Sequence, residues 1–178
     1  GGIYAAPVQR GDITQFQLAV GLCDGATQLF NDPNFNDALD GWSTGYIGDY
    51  GIPDWADNAV TLNMGIYIFQ NTNLQPNTKY LVRVDVLSIQ GELSIYSDND
   101  EVIINEGGFH DVVLQMGANP VVNVLARVLE DANSIVIINS VSVYEWYETS
   151  DIDVVVGGET VPDSAKTLTG GSLTVEID

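Results

Sequence analysis

The residues best suited to gripping a ligand lie between Gly41 and Asn58. Trp42, Tyr46, Tyr50 and Trp55 are spread through a stretch otherwise rich in Gly, Asp and Ser. Flat aromatic faces stack against the apolar face of a sugar ring, and nearby carboxylates and amides bond its hydroxyls. Asp54 and Asp57, with Asp49 and Asn58 beside them, are spaced for that polar role. The expected carbohydrate-binding set is therefore Trp42, Tyr46, Tyr50, Trp55, Asp54 and Asp57. A plainer reading stands next to it: Trp42 belongs to a core, and the other rings plug the end of a fold or meet a neighbouring subunit.

Reactive chemistry has little to build on. His110 is the single histidine, and the sequence marks no partners for a catalytic triad or a His-based metal site. Cys23 is the single cysteine, so an internal disulfide and a Cys-based zinc site are both excluded. It reads as a small buried hydrophobe. Among 25 acidic residues some pair will fall at a distance that suits glycoside hydrolysis, but none sits in a motif. No enzymatic activity is expected. Asp98-Asn99-Asp100-Glu101 lacks the spacing of a calcium loop and reads as a solvated hairpin tip. Arg10-Gly11-Asp12 reads as a turn before a strand. Gly157-Gly158 and Gly170-Gly171 lack the Lys and helix start of a phosphate loop.

Charge narrows the partners. The chain carries 25 acidic against 5 basic residues, a net charge of −20. Such a surface repels nucleic-acid phosphates and anionic membranes. The acids are dispersed rather than gathered in a tail, as on a folded, solvated surface. Apolar runs such as Ser134 to Ile138 are far too short to cross a bilayer. No Asn-x-Ser/Thr sequon occurs. Beginning at Gly1 rather than Met, the sequence reads as a processed product or part of a longer polypeptide.

Period-two patterning must position these residues. Phe16, Leu18 and Val20 alternate with polar neighbours, as do Val60, Leu62 and Met64. Val82, Val84 and Val86 enclose Arg83 and Asp85, and Val122, Val124, Ala126 and Val128 enclose Asn123 and Arg127. These are strands with one wet face. Turn signals at Gln90-Gly91, Asp98–Asp100, Gly107-Gly108 and Asn119-Pro120 separate them. The predicted fold is all-β, an antiparallel β-sandwich, with strand-forming N- and C-terminal segments. Three regions are expected: an N-terminal assembly segment over 1–30, a sandwich over 31–147, and a C-terminal β segment over 148–178 with strands at Ile152–Val156 and Ser172–Ile177.

Three motifs then carry a resemblance. Asn31-Asp32-Pro33-Asn34-Phe35 followed by Leu39-Asp40-Gly41-Trp42, then Leu74-Gln75-Pro76-Asn77-Thr78-Lys79-Tyr80, and finally Ile137-Ile138-Asn139-Ser140-Val141-Ser142-Val143 resemble the opening, corner and closing segments of jelly-roll carbohydrate-binding modules. The resemblance implies a jelly roll in which Phe35 and Trp42 anchor the core. Family members often hold a structural calcium with carboxylates at positions matching Asn36 and Asn139. Neutral amides are poorer ligands there, so no cofactor is expected, with a bound calcium as the open alternative. Similar modules occur in tailed-phage virion proteins, and Tyr4–Asp12 with Phe16-Gln17-Leu18 resembles a segment fused to them. That resemblance implies a non-enzymatic virion structural protein: a capsid-decoration, head-fibre or tail-associated subunit. It would be virion-bound or extracellular and homo-oligomeric, with other virion proteins and glycans as partners. The alternative is a secreted or enzyme-appended carbohydrate-binding module.

Overall fold

The computed structural model describes residues 2–4, 15–19, 28–146, 153–169 and 172–176. The chain divides into two units, one of Gln28–Tyr144 and one of Gly1–Thr27 with Glu145–Asp178.

The central unit is the sandwich. Its strands, numbered along the whole chain, are β3 (Ser43–Tyr46), β4 (Asp54–Ala56), β5 (Ala59–Asn63), β6 (Ile66–Gln70), β7 (Lys79–Gln90), β8 (Leu93–Tyr96), β9 (Glu101–Ile104), β10 (Gly108–Gln115), β11 (Val122–Ala126) and β12 (Ile135–Glu145). They form two 5-stranded sheets, β3-β6-β11-β8-β9 (sheet I) and β10-β7-β12-β5-β4 (sheet II). The antiparallel β-sandwich expected from the alternation is the fold observed.

Alternation decides which side chains meet between the sheets. From β7, Tyr80, Val82, Val84 and Val86 enter the core while Arg83 and Asp85 stay half-exposed. Leu62 and Val60 of β5, Ile68 of β6, Ile95 and Leu93 of β8 and Val124 of β11 are wholly buried. In β12, Val136 and Ile138 face the core, then Val141 and Val143, so the alternation skips a residue at Asn139-Ser140. A local bulge of this kind bends and twists a strand without ending it. β12 sits at the centre of sheet II, and the unit's two ends meet where the Leu29 N–H donates to the Val143 carbonyl at 3.0 Å.

The second unit joins the chain's two flanks. β1 (Gly2–Tyr4) pairs in parallel with β13 (Asp153–Val156), which pairs with β14 (Glu159–Thr160). β2 (Gln15–Ala19) pairs with β16 (Ser172–Glu176), which pairs with β15 (Lys166–Thr169). The two flanking segments thus supply strands to each other. The alternation of Phe16 and Leu18 falls within β2, and β14 and β15 are additions to the two strands expected in the tail. Lys166 is buried here, its side chain 2% exposed, with Nζ 2.5 Å from Asp163 Oδ1. Gly157 and Gly158, at φ 61° and 86°, form the two-residue turn between β13 and β14. Arg10-Gly11-Asp12, Cys23 and Gly170-Gly171 lie outside the described residues.

Candidate functional site: a cleft on the outer face of sheet I

The outer face of sheet I is built by strands that are apolar on both sides. In β6, Ile66, Ile68 and Gln70 point inward, which sends Tyr67 and Phe69 outward. Register places Leu125 opposite Tyr67 and Asn123 opposite Phe69, with Ser94 and Tyr96 of β8 on their far side. Ile103 and Glu101 of β9 complete the row. Asn123 and Leu125 are only 8% exposed and Ser94 0%, although they face away from the core. Their larger cross-strand neighbours close around them.

An open cleft of about 520 Å³ crosses this face, lined by Ile47, Leu125, Tyr96, Glu101 and the Ser97–Asp100 turn. Tyr96 is its central aromatic. Burial, then the nearby Tyr67 phenol, then the Glu101 carboxylate raise the Tyr96 pKa, so its hydroxyl stays a proton donor at neutral pH. Glu101 is oriented by the Ser94 hydroxyl, which donates to its Oε1 at 2.7 Å. The Asn123 amide donates to the Tyr96 carbonyl at 3.3 Å. The Tyr67 ring lies on the β3 backbone: a Cβ on Gly45 would come within 2.3 Å of the ring. Tyr67 and Phe69 are themselves a tilted pair, centroids 5.8 Å apart.

The acidic turn at one end of the cleft is a built structure rather than a loose tip. Ser97 Oγ donates to the Gln115 carbonyl at 2.6 Å and accepts the N–H groups of Asn99 and Asp100. The Asp98 carboxylate accepts the N–H groups of Asn119 and Gly117, both at 2.7 Å. Those backbone donors hold its carboxyl below the ordinary carboxylate range.

The residues first expected to hold a sugar are dispersed. Trp42 is 8% exposed. It packs edge-on to Phe30 at 5.4 Å and against Phe35 at 5.6 Å, and its indole N–H donates to the Asp32 carbonyl. It is a core residue with no ring face for a ligand, which corrects its place in the expected set. Trp55 sits on edge strand β4, 41% exposed, its indole N–H held by the Phe35 carbonyl at 2.7 Å. Tyr46 and Tyr50, 48% and 77% exposed, meet edge to face at 5.3 Å. Asp54 is exposed on β4. Asp57 and Asn58, at φ 52° and 57°, make the turn of the β4–β5 hairpin. Apart from Trp42, these groups line the lateral edge between the sheets' outer strands. The outward residues Tyr67, Phe69 and Asn123 beside the cleft, and Tyr96 within it, escaped the sequence reading as a site, and Glu101 was read only as part of a hairpin tip. Their signal was the unbroken apolar character of Ile66-Tyr67-Ile68-Phe69, in a chain whose strands otherwise have one wet face.

At the two positions that the resemblance points to for calcium, Asn139 donates through Nδ2 to Asp85 Oδ2, and the Asn36 backbone N–H donates to Asp32 Oδ1. Among the described residues no group of three or more His, Cys, Asp or Glu is arranged to hold a metal. His110 Nε2 meets the Glu106 carbonyl at 2.9 Å.

No family model matches the chain, and no curated protein matches it. Several solved structures are similar to it, two of which follow. One, described as "CBM4 structure and function", shares 11% identity at a TM-score of 0.45, over 63% of this chain and 99% of that one. The other is described as a family GH115 4-O-methyl-alpha-glucuronidase with specificity for decorated arabinogalactans. It shares 13% identity at a TM-score of 0.27, over 80% of this chain but 19% of that one.

Proposed function

We propose that this protein is a non-catalytic glycan-binding β-sandwich whose ligand lies in the cleft across sheet I. One observation carries the reading: an outward-facing row of Tyr67, Phe69 and Tyr96 is interleaved with the polar Asn123, Ser94 and Glu101 on a rigid sheet. Rings supply stacking faces, and the fixed amide, hydroxyl and carboxylate meet sugar hydroxyls at set positions. Two of the cleft's carboxylates, Asp98 and Asp100, are tied to backbone N–H groups, which favours holding a ligand over cleaving it.

The test is titration of the full chain against a panel of oligosaccharides by calorimetry. Binding that falls at least about tenfold in Tyr96→Ala, about 1.4 kcal/mol, supports the cleft. Binding that survives Tyr96→Ala but is lost in Tyr50→Ala or Trp55→Ala moves the site to the lateral edge, where the sequence first placed it. Silence across the panel sinks the reading.

A virion structural role is the second reading. The sequence resemblance over Tyr4–Leu18 and the acidic surface support it. The pairing of β1 with β13 and of β2 with β16 occupies strand edges that an assembly contact would otherwise use. A capsid, fibre or tail protein can hold surface glycans, so the two readings are compatible. Sedimentation of the full chain as a defined oligomer would favour the assembly role, and a stable monomer would count against it.

A further inference from the structure

We infer that the cleft selects glycans by charge, taking segments that carry free amines and refusing those that carry carboxylates or sulfates. This rests on the glycan-binding reading above. The chain has 5 basic residues, Arg10, Lys79, Arg83, Arg127 and Lys166, and none of the described ones lines the cleft. Arg83 is held by Asp111 on sheet II and Lys166 by Asp163 in the other unit. Lys79 lies at the Gln115 register position of sheet II. Arg127, two residues beyond Leu125, is paired with Glu92. Arg10 lies outside the described residues.

The lining, by contrast, brings Asp98, Asp100 and Glu101 to one wall. Asp98 is committed to the backbone of the Gly117–Asn119 loop and Asp100 to the N–H groups of Glu101 and Gln115. These two carboxylates set the field along the wall. Glu101 is different. It is fixed by one hydroxyl, stands beside the Tyr96 ring, and is close enough to raise the phenol's pKa. An aromatic face next to a carboxylate is the combination that recognises an ammonium, through the ring quadrupole and the ion pair together. An anionic sugar entering the same place meets like charge on that wall and no cation to offset it.

The experiment uses short oligomers, so that a polycation does not simply coat an acidic protein. A glucosamine trimer, its N-acetylated counterpart and a galacturonate trimer are titrated at slightly acid pH, where the amine is charged, at low and high salt. The inference expects the glucosamine trimer to bind about tenfold or more tighter than the N-acetylated one. The gap should narrow at high salt as screening grows, and galacturonate should not bind. Glu101→Gln keeps the acceptor for Ser94 and should remove most of the preference, whereas Asp37→Asn, a neutralisation at an exposed loop, should leave it. Equal affinity for the two trimers, or an equal loss in both variants, overturns the inference while the glycan-binding reading stands. If no oligomer binds, both fall.

Discussion

The two outer faces of the sandwich are treated oppositely. On sheet II, charge is neutralised locally. Arg83 makes a two-bond pair with Asp111, at 2.7 and 2.9 Å, and Asp85 accepts the Asn139 amide. The large apolar groups there, Phe109 at 72% and Leu87 at 56% exposure, stand in solvent. On sheet I the rings close over buried polar groups, and the acids beside them have no cation in the cleft. Neutralising charge and leaving rings loose makes an ordinary surface. Confining rings around polar groups, with a net field, makes a place for a ligand. The shared core sets the strands of both faces, so function separates from fold at the alternate, outward positions alone.

The hardest test of this division is Trp42→Ala. If Trp42 is core, its loss costs about 3–5 kcal/mol, as for other large buried aromatics, and chemical denaturation will show it. If Trp42 were a ligand-stacking ring, stability would hold and only binding would fall. Next in size is the contrast between the faces. Tyr96→Ala should cost about tenfold in glycan affinity with little loss of fold, whereas Phe109→Ala should change stability by no more than about 0.5 kcal/mol and affinity not at all. A binding loss at Phe109 would erase the distinction. Gly45→Ala sharpens it further. The added methyl must push the Tyr67 ring off the β3 backbone, so affinity should drop several-fold while the melting temperature stays close to wild type. On sheet II, a double-mutant cycle on Arg83 and Asp111 should return a coupling of about 0.2–1 kcal/mol, because both side chains are roughly a third exposed.

The fold was legible where one face of a strand is wet. Val82-Arg83-Val84-Asp85-Val86 declares its own inside and outside, and β5, β10 and β12 follow the same logic. Short β3 and β4 were not legible, because Ser43–Tyr46 and Asp54–Ala56 carry no alternation and owe their place to pairing with β6 and β5. Met64 and Val128 followed the pattern on paper. The chain instead turns after Asn63 and after Ala126, leaving both residues exposed. The union of the two flanks was out of reach for a different reason. Leu18 and Leu173 are partners 155 positions apart by their numbers, and no local pattern names a distant partner. The cleft was missed because alternation sorts residues into core and solvent and has no third class. Tyr67, Phe69 and Asn123 belong to that third class.

The smallest effect concerns the turn that frames the cleft. Asp98 holds the Gly117–Asn119 loop through two backbone N–H groups, which depress its pKa below the ordinary carboxylate range. A group whose folded pKa is lowered stabilises the fold above its unfolded pKa, and loses that contribution as pH falls through the folded value. Asp98→Asn keeps the shape and removes the charge. The variant should therefore melt slightly below wild type at neutral pH, with the difference shrinking toward zero as the pH drops through the acid range where Asp98 itself takes up its proton. Melting curves of both proteins across that range measure it. Glycan affinity follows the same logic at the cleft wall: neutralising Asp98 removes one source of the field there but leaves Tyr96 and Glu101 in place, so binding of a neutral oligosaccharide should be unchanged. A pH-independent gap in melting temperature would mean that Asp98 acts through its shape alone, and that the wall's charge is incidental to how the loop is held.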